Sequence, residues 1–437
     1  MSSQSLESKL EALQSHFTWD LDPRRSKLFR LKDNLEDIGT EEDNIWLGPI
    51  YNLQGFIHYK LGFMEEARAF FSRATEAFQQ LKTTDEGPWL VVNYGNLAWL
   101  HHHTGEDEKR QDFLSKVDAL MNKYPAPIKG ELHPEVCAEK AWTLMKFDNE
   151  KKLQAAEYFQ KAIRMEPNRK EWRSNYILLK LIMFKEKTEN LEDDLLAELK
   201  SANEEDPENL YLEVLHMEAC AAKGIKPDTE AVQNLAGRVL SRPASSYNGL
   251  APLLRLCREF LSVDEAVGLA EEALRRHPEA RSVKACAAVC YKYKVYSQNQ
   301  NPDPRTICRA TDLFKKLIEA YPHSLLNKLT LASLYAKYDE GQADQIFEDV
   351  LGNQNLLEDL DPTDTQMLYH FYANHLFFIK KKDHESIKYH MKVVEIQHES
   401  HYREKSIREL EKNVTRIQNS GMCEEVREFM EKLNLNV

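Results

Sequence analysis

The sequence predicts an all-α protein, a superhelix made of about eight or nine repeated helix pairs. Apolar residues recur with the 3.6-residue period of amphipathic helices, and strict alternation of apolar and polar residues, typical of strands, is absent. Gly and Pro, which interrupt helices, number only 15 and 16 among 437 residues. A chain of this length exceeds one compact core, so either several domains or a repeat array is expected.

A packing pattern repeats along the chain. A small residue is followed four residues later by a larger apolar one, then by Ala or an aliphatic residue, then by Pro, as at Ala155, Phe159, Ala162 and Pro167. Spacings of four and three place these side chains on one helix face, and Pro ends the helix. The pattern recurs at Leu195/Leu199/Ala202/Pro207, Ala231/Leu235/Arg238/Pro243, Ala266/Ala270/Ala273/Pro278, Ala310/Phe314/Leu317/Pro322 and, without Pro, at Ala67/Phe71/Ala74 and Ala343/Phe347/Val350. Repeat distances of about 33 to 45 residues are typical of tetratricopeptide repeats, so we predict a tetratricopeptide-repeat α-solenoid.

We expect three parts in order along the chain. Residues 1–45 form an N-terminal helical segment that closes the clamp made by the curved superhelix, 46–240 the N-terminal repeats, and 241–437 the C-terminal repeats and terminal helices. The apolar, aromatic segment 367–379 (MLYHFYANHLFFI) is interpreted as the first helix of the last repeat; the alternative is a self-association surface.

Charge, hydropathy and cysteine content argue against several classes of protein. The formal net charge of -13 favours solubility and repels nucleic acid on average, so a polyanion would need a local basic pocket. The polar N-terminus MSSQSLESKLEALQ does not resemble a signal peptide, and no run of apolar residues is long enough for a membrane span. The seven cysteines are scattered without a CxxC motif, which favours reduced thiols in the cytoplasm.

Catalytic and metal-site patterns are weak. We find no Gly-rich phosphate loop and no GxSxG motif, so we predict that the chain is not an enzyme and needs no cofactor. Consecutive His101, His102 and His103 lie about 100° apart on a helix and cannot all face one ion. Cys286 and Cys290 could share a ligand at i and i+4, but burial as small apolar residues explains them better. We therefore predict no metal site.

Basic residues alternate with aromatic ones in several clusters. This composition can neutralise phosphates and stack bases of a single nucleic-acid strand, but ordinary surface charge is the alternative for each cluster. The clusters are residues 24–32, 168–181, 255–259, 275–284 and 291–294.

The segment AEKAWTLMKF (138–147) raises the sharpest question of function. Ala138, Trp142 and Met145 share one face of a predicted helix, and Lys146 follows Trp142 by four residues. Trp142 could be core packing or a flat surface for a base. Lys146 could be a solvated charge or the partner of a bound anion.

Several segments resemble the interferon-induced proteins with tetratricopeptide repeats, and in particular those of bony fish. The resemblance runs from about residue 8 to about 420 and is close over the first 220. It is carried by SHFTWDLD (15–22), IYNLQGFIHYKLG (50–62), NYGNLAWLHHHTG (93–105), HPEVCAEKAWTLMKF (133–147), YFQKAIRMEP (158–167) and DPENLYLEVL (206–215). It implies a cytoplasmic antiviral effector of innate immunity that holds a single-stranded RNA 5′ end, triphosphate or cap lacking 2′-O-methylation, in a basic tunnel. Such proteins sequester the RNA from translation and associate with themselves or relatives.

The resemblance also implies roles for individual residues. Trp142 matches a Trp that stacks on the first base or the cap, and Lys146 matches a Lys that binds 5′ phosphates. Asn209 and Tyr211 match residues that contact the first riboses, and Tyr247 matches an aromatic on the RNA strand. We add three basic residues to this predicted RNA-binding set: Arg255, Arg258 and Lys284.

This chain departs from the family where phosphates are held. Ile182 stands where RNA-binding members carry a basic residue, and Ala285 and Cys286 replace a His–Gln pair. The N-terminal helix lacks the residues with which the family binds phosphates, and the segment GTEEDN (39–44) follows it. Arg30 and Lys32 are candidates to replace those phosphate-binding residues. The alternative function is therefore a repeat scaffold that binds protein partners in antiviral signalling without tight RNA binding.

Overall fold

The computed structural model describes residues 6–38, 44–81, 86–186, 193–297, 302–416 and 421–433. These residues are helical almost throughout, and the described part of the chain contains no strand. The all-α prediction is confirmed. None of the helices in the described ranges is both long and apolar enough to cross a bilayer.

The chain divides into two compact units. Unit 1 comprises Met1–Pro23 and Leu31–Leu256, and unit 2 comprises Arg24–Arg30 and Cys257–Val437. Helix α2 (Arg25–Glu36) is therefore divided between the two units. The division at residues 45 and 240 that we expect from the sequence stays a prediction.

Unit 1 is a series of helices in which neighbours along the chain pack on each other, as in α3 on α4 and α7 on α8. A 3₁₀ turn, His16–Thr18, follows the first helix. The helices of unit 1, besides the second part of α2, are α1 (Leu6–Glu11), α3 (Leu47–Leu61), α4 (Met64–Leu81), α5 (Leu90–His103), α6 (Asp107–Lys123), α7 (Pro134–Leu144), α8 (Asn149–Met165), α9 (Lys170–Glu186), α10 (Asp193–Glu205), α11 (Leu210–Ala222), α12 (Thr229–Leu240) and α13 (Leu250–Leu256).

Unit 2 continues the same arrangement and begins with a π-helical turn, Cys257–Leu261. Neighbouring helices again pack in sequence, for example α20 on α21. The helices are α14 (Val263–Arg276), α15 (Arg281–Ser297), α16 (Pro304–Ala320), α17 (Leu325–Tyr335), α18 (Glu340–Gly352), α19 (Gln354–Asp359), α20 (Pro362–Phe378), α21 (Asp383–Glu395), α22 (His401–Arg416) and α23 (Gly421–Lys432).

The repeated pattern marks the buried stripe of six helices: α4, α8, α10, α14, α16 and α18. Ala155, Phe159 and Ala162 of α8 are all 0% exposed, and an Asp148 cap starts this helix. A small residue at such a position lets the neighbouring helix approach closely. The matching positions of the other helices are buried as well: Ala67/Phe71/Ala74, Leu195/Leu199/Ala202, Ala266/Ala270/Ala273, Ala310/Phe314/Leu317 and Ala343/Phe347/Val350.

Helix α12 corrects one expected register. Ala231 and Arg238 are exposed, although the pattern placed them on the buried face. Leu235 is buried as expected, but the small residue of the buried stripe is Ala236, which lies between Val232 and Val239. This stripe keeps the small central residue between two larger ones, and it leaves Arg238 free to pair with Glu213 on the surface.

Segment 367–379 packs as a repeat helix. Met367, Leu368 and Leu376 of α20 are buried, whereas Phe378 at its end is 60% exposed. The interpretation as a helix covered by its neighbours therefore holds for most of the segment.

Candidate nucleic-acid interface

Helix α7 presents Trp142 and ends just before Lys146. The helix starts with Pro134 in its first turn and a His133 cap, both favourable at a helix N-terminus. It ends at Leu144, and the Lys146 backbone N–H donates to the Thr143 carbonyl at 3.0 Å in the turn that follows. Lys146 thus lies past the C-terminus of α7, where the helix dipole favours a cation. The sequence predicts Trp142 and Lys146 on one helix, but α7 ends at Leu144, two residues before Lys146.

Trp142 is a buried ring in this structure. Its side chain is 2% exposed, and its indole stacks on Trp46 with centroids 5.7 Å apart and planes 15° apart. The Lys146 Nζ lies 4.6 Å from the Trp142 ring centroid. No face of Trp142 is therefore open to a base until one of these two neighbours moves.

Lys146 is held by aromatic groups rather than by acids. Its Nζ donates to the Tyr247 Oη at 2.8 Å and lies 5.5 Å from the Tyr247 ring centroid. Among the described residues, no carboxylate forms an ion pair with Lys146. Because cation–π contacts and a neutral phenol leave the ammonium charge uncompensated, an anion would gain a full charge-assisted hydrogen bond here.

Tyr247 and Tyr211 complete this cluster in unit 1. Their ring centroids lie 5.6 Å apart, and Tyr247 is 38% exposed. Burial raises the pKa of Tyr211 to about 12, so its hydroxyl stays protonated at neutral pH. The Tyr247 loop is fixed to the end of α2 because the Ser246 N–H donates to the Asp37 carbonyl at 2.8 Å.

Asn209 and Arg255 already have partners in unit 1. The Asn209 Oδ1 accepts from the Leu212 N–H at 3.2 Å and caps α11. Arg255 forms a two-point ion pair with Glu218, with 2.7 Å between Nη2 and Oε2. The Arg255 charge is therefore balanced by a carboxylate.

The last two predicted residues, Arg258 and Lys284, belong to unit 2. The Arg258 side chain is 7% exposed and its guanidinium lies 4.0 Å from the Tyr293 ring centroid. The Lys284 Nζ lies 3.5 Å from the Glu279 carboxylate. The structure thus brings Trp142, Lys146, Tyr211 and Tyr247 together, and the role of the whole predicted set in RNA binding stays a prediction.

Most residues of the basic clusters are ion-paired. In cluster 168–181, Lys170 pairs with Asp206, Arg173 with Glu205, Lys180 with Glu198 and Arg169 with Glu135. For these residues the surface-charge alternative describes the structure, since their charge is compensated locally.

The candidate substitutes for the missing phosphate ligands are also paired. Arg30 contacts Asp361 and Asp364, and Lys32 contacts Glu36 at 2.6 Å. Ile182 is 39% exposed and offers no charge. Residues 39–43 of GTEEDN lie outside the described residues.

Sequence reasoning missed Trp46 and the cavity beside it. A cavity of about 130 Å³ is lined by Trp46, Trp89, Trp172, Glu139 and further side chains of unit 1. Burial raises the pKa of Glu139 to about 8, and its Oε1 accepts from the Asn52 Nδ2 at 2.8 Å. Trp46 belongs to none of the repeated spacings, so only its residue type could have drawn attention to it.

The histidine run serves packing. The His101 ring stacks on Phe113, and the His103 ring lies 5.2 Å from Tyr59. Among the described residues, no group of three or more His, Cys, Asp or Glu side chains is arranged to hold a metal ion. Neither Cys286 nor Cys290 forms a disulfide bond.

Comparisons of the sequence with known proteins find matches that agree with one another. No family model matches the chain. Human "Antiviral innate immune response effector IFIT1" is 26% identical over 93% of this chain and 87% of its own length. Mouse "Interferon-induced protein with tetratricopeptide repeats 2" is 24% identical over 91% of this chain and 84% of its own length. Over most of its length, the chain is similar to the interferon-induced proteins with tetratricopeptide repeats.

Solved structures of human IFIT1 share the fold of this chain. The human IFIT1 dimer with m7Gppp-AAAA superposes with a TM-score of 0.71 at 24% identity and covers 97% of this chain and 96% of that one. The human IFIT1 dimer with PPP-AAAA gives a TM-score of 0.69 at 23% identity, over 98% of this chain and 96% of that one. The predicted tetratricopeptide-repeat solenoid and the predicted resemblance to the interferon-induced family are both confirmed. These relatives are mammalian, so the particular likeness to fish members stays a prediction.

Proposed function

We propose that this chain is an antiviral innate-immune effector that binds the 5′ end of single-stranded RNA and sequesters it from translation. The ligand is an RNA with a 5′ triphosphate or an incompletely methylated cap. The observation that carries the proposal is Lys146, an ammonium held against two aromatic rings without a carboxylate partner among the described residues. The chain acts by binding and not by catalysis.

The relatives support this function. Human IFIT1 is named as an antiviral effector, and its structures hold a capped and a triphosphorylated tetranucleotide. Since the chain matches that protein along nearly its whole length, the same ligand class is the first to test.

The geometry supports a two-step exchange at the site. A 5′ phosphate attracts Lys146 away from the Trp142 ring and replaces the phenol of Tyr247 as its hydrogen-bond partner. Withdrawal of the ammonium uncovers part of the indole, on which the first base stacks. Base stacking on an aromatic side chain is worth about 1–3 kcal/mol.

One RNA sequence with four different 5′ ends tests the proposal. We would measure binding of the purified protein to the 5′-OH, 5′-triphosphate, capped and 2′-O-methylated capped forms at two salt concentrations. Lys146→Gln should remove the preference for triphosphate and capped ends over 5′-OH, because the ammonium contacts only the 5′ phosphates. Lys180→Gln is the matched control, since Lys180 has the same charge but pairs with Glu198. Equal binding of all four ends by the unmodified protein would refute 5′-end recognition.

A protein-binding scaffold is the second candidate. Two observations favour it: the net charge of -13 and the local pairing of most basic residues in cluster 168–181. It predicts weak, equal binding to the four RNAs together with specific retention of a basic protein partner.

We further propose that the protein acts in the cytoplasm and associates with itself or with relatives, as the human IFIT1 dimers do. Light scattering over a concentration series tests self-association. A constant monomer mass at the highest concentration would exclude a homo-oligomer.

A further inference from the structure

Tyr293 in unit 2 is an exposed aromatic ring flanked by cations. The side chain is 41% exposed, although it lies within the long helix α15. The Arg258 guanidinium carbon lies 4.0 Å from the ring centroid, and the Lys292 Nζ lies 5.4 Å from it. The ring therefore has two cations beside it and part of its surface open to solvent.

Arg258 is buried with an unused hydrogen-bond donor. Its side chain is 7% exposed, and its Nε has no hydrogen-bond partner among the described residues. Among the described residues, its only ion pair is a long one, with 3.8 Å between Nη2 and the Glu259 Oε1. Burial of a guanidinium beside only this distant carboxylate leaves its positive charge poorly compensated, so this position favours an anionic ligand.

Two lysines add uncompensated charge nearby. Among the described residues, Lys292 and Lys405 have no carboxylate ion pair. Burial lowers the pKa of Lys292, and repulsion from Arg258 and Lys405 lowers it further. The neighbouring Lys294 differs, because its Nζ lies 2.9 Å from Asp264.

We propose that Arg258, Lys292, Tyr293 and Lys405 form a nucleotide-binding subsite in unit 2, which holds one base and an adjoining phosphate of single-stranded RNA. The base stacks on the open part of the Tyr293 ring, and the three cations contact the phosphate. This inference rests on the proposed function and extends it to a nucleotide inside the strand, whatever the chemistry of the 5′ end. An RNA strand fits better than an acidic peptide, because the aromatic ring needs a planar partner and the cations need an anion next to it.

Binding of a 5′-OH single-stranded RNA tests the subsite apart from the 5′-end site. The RNA should be longer than the site sizes of about 4–16 nucleotides known for single-strand binding folds. Tyr293→Leu should weaken binding about fivefold or more, and Tyr293→Phe should retain it, since the phenyl ring still stacks. Lys405→Gln, at an exposed position, should weaken binding and reduce the slope of log affinity against log salt by about 0.7. Lys294→Gln is the matched control and should change neither quantity by as much.

Two further readouts decide the assignment. Irradiation of a 5-iodouridine-substituted RNA bound to the full chain should cross-link it to Tyr293, as mapped by peptide mass spectrometry. The losses at Tyr293 and Lys405 should be equal for 5′-OH and 5′-triphosphate RNA, whereas Lys146→Gln affects only the latter. If Tyr293→Leu and Lys405→Gln, both folded by circular dichroism, bind 5′-OH RNA like the unmodified protein, the subsite does not exist. If the four 5′ ends bind equally while Tyr293→Leu still weakens binding, the 5′-end function fails and the subsite stands.

Discussion

Lys146 shows what residue-level reasoning reaches and where it stops. The spacing of Trp142 and Lys146 predicts that the indole and the ammonium meet, and they do, 4.6 Å apart. The third partner, Tyr247, lies 101 residues further along the chain, and no local pattern could reveal its hydrogen bond to Lys146. Burial of Trp142 against Trp46 was equally hidden, because it depends on a loop residue outside the repeats.

The burial of Trp142 predicts a stability effect beside the binding effect. Trp142→Ala should lower the free energy of unfolding by about 3–5 kcal/mol, the usual cost of removing a buried aromatic side chain. Urea unfolding measures it, with Trp142→Phe as a milder comparison that keeps a ring. A fully stable Trp142→Ala protein would mean that the indole is not packed as described.

Glu139 predicts a pH dependence at the same scale. Its pKa is raised from the ordinary 4.5 to about 8 by burial, so the folded protein keeps a proton that the unfolded chain releases. The contribution of this group to stability is therefore greatest below about pH 4.5 and falls as pH rises toward about 8. Glu139→Gln, which stays neutral, should gain stability relative to the unmodified protein between these two pH values. Urea unfolding gives the free energy of unfolding of both proteins near pH 4.5 and near pH 8. The same difference between the two proteins at both pH values would contradict this prediction.

At the scale of elements, the small-residue stripe was predictable and the partners of the helices were not. Ala155, Phe159 and Ala162 lie on the buried face because spacing alone determines it. The register of α12 was missed because Ala231 and Ala236 both offer a small residue, and only the packed neighbours select the second. Hydrogen bonds between side chains of different helices leave no periodic pattern in the sequence.

One such link joins three helices of unit 2. The Ser406 Oγ of α22 lies 3.0 Å from the Nδ1 of His370 on α20 and 3.0 Å from the Nδ1 of His390 on α21. A hydroxyl has one proton, so it donates to one imidazole and accepts from the other, and the two histidines hold opposite tautomers. Ser406→Ala should lower the free energy of unfolding by about 1–3 kcal/mol, because two buried imidazoles lose their partner. Ser297→Ala, at an exposed position, is the control and should change stability little.

The same pair of histidines predicts acid sensitivity of unit 2. Burial lowers the pKa of His370 to about 3 and that of His390 to about 4, from the ordinary 6.5. The unfolded chain then binds protons that the folded unit does not, so stability is lost as pH falls from about 6.5 toward 3. His390→Gln should reduce this loss, which chemical denaturation over the acid range can measure.

At the scale of the whole molecule, charge composition alone misleads. The clusters near residues 168–181 look like an RNA-binding surface, but their cations are paired with the acidic residues that make the total negative. Among the described residues, the proposed RNA-binding cations without such pairs are Lys146 in unit 1 and Lys292 and Lys405 in unit 2. Only the folded structure separates these from the rest, because pairing joins residues distant in sequence.

The division of α2 between the units gives a prediction at this scale. Arg30→Ala leaves Asp361 and Asp364 without the cation that pairs with both, and breaking a buried ion pair costs about 3–5 kcal/mol. Arg30 is 38% exposed, so we expect the lower end of that range or less. Amide hydrogen exchange should rise in α20, which Asp361 caps, while α5 in unit 1 serves as the internal reference. Unchanged exchange in α20 would show that this bridge does not stabilise unit 2.

The position of Arg30 in the sequence also affects the order in which the protein can fold during synthesis. The segment Arg24–Arg30 is made early, yet its partners in unit 2, Asp361 and Asp364, follow 331 and 334 residues later. At about 5–20 residues per second, a ribosome needs roughly 20–70 seconds to cover that distance. During most of this time Phe29 lacks His323, the ring on which it finally stacks. The segment Arg24–Arg30 therefore leaves the ribosome well before its partners in unit 2 are made, and we expect chaperones that protect exposed apolar side chains to act on it in that interval.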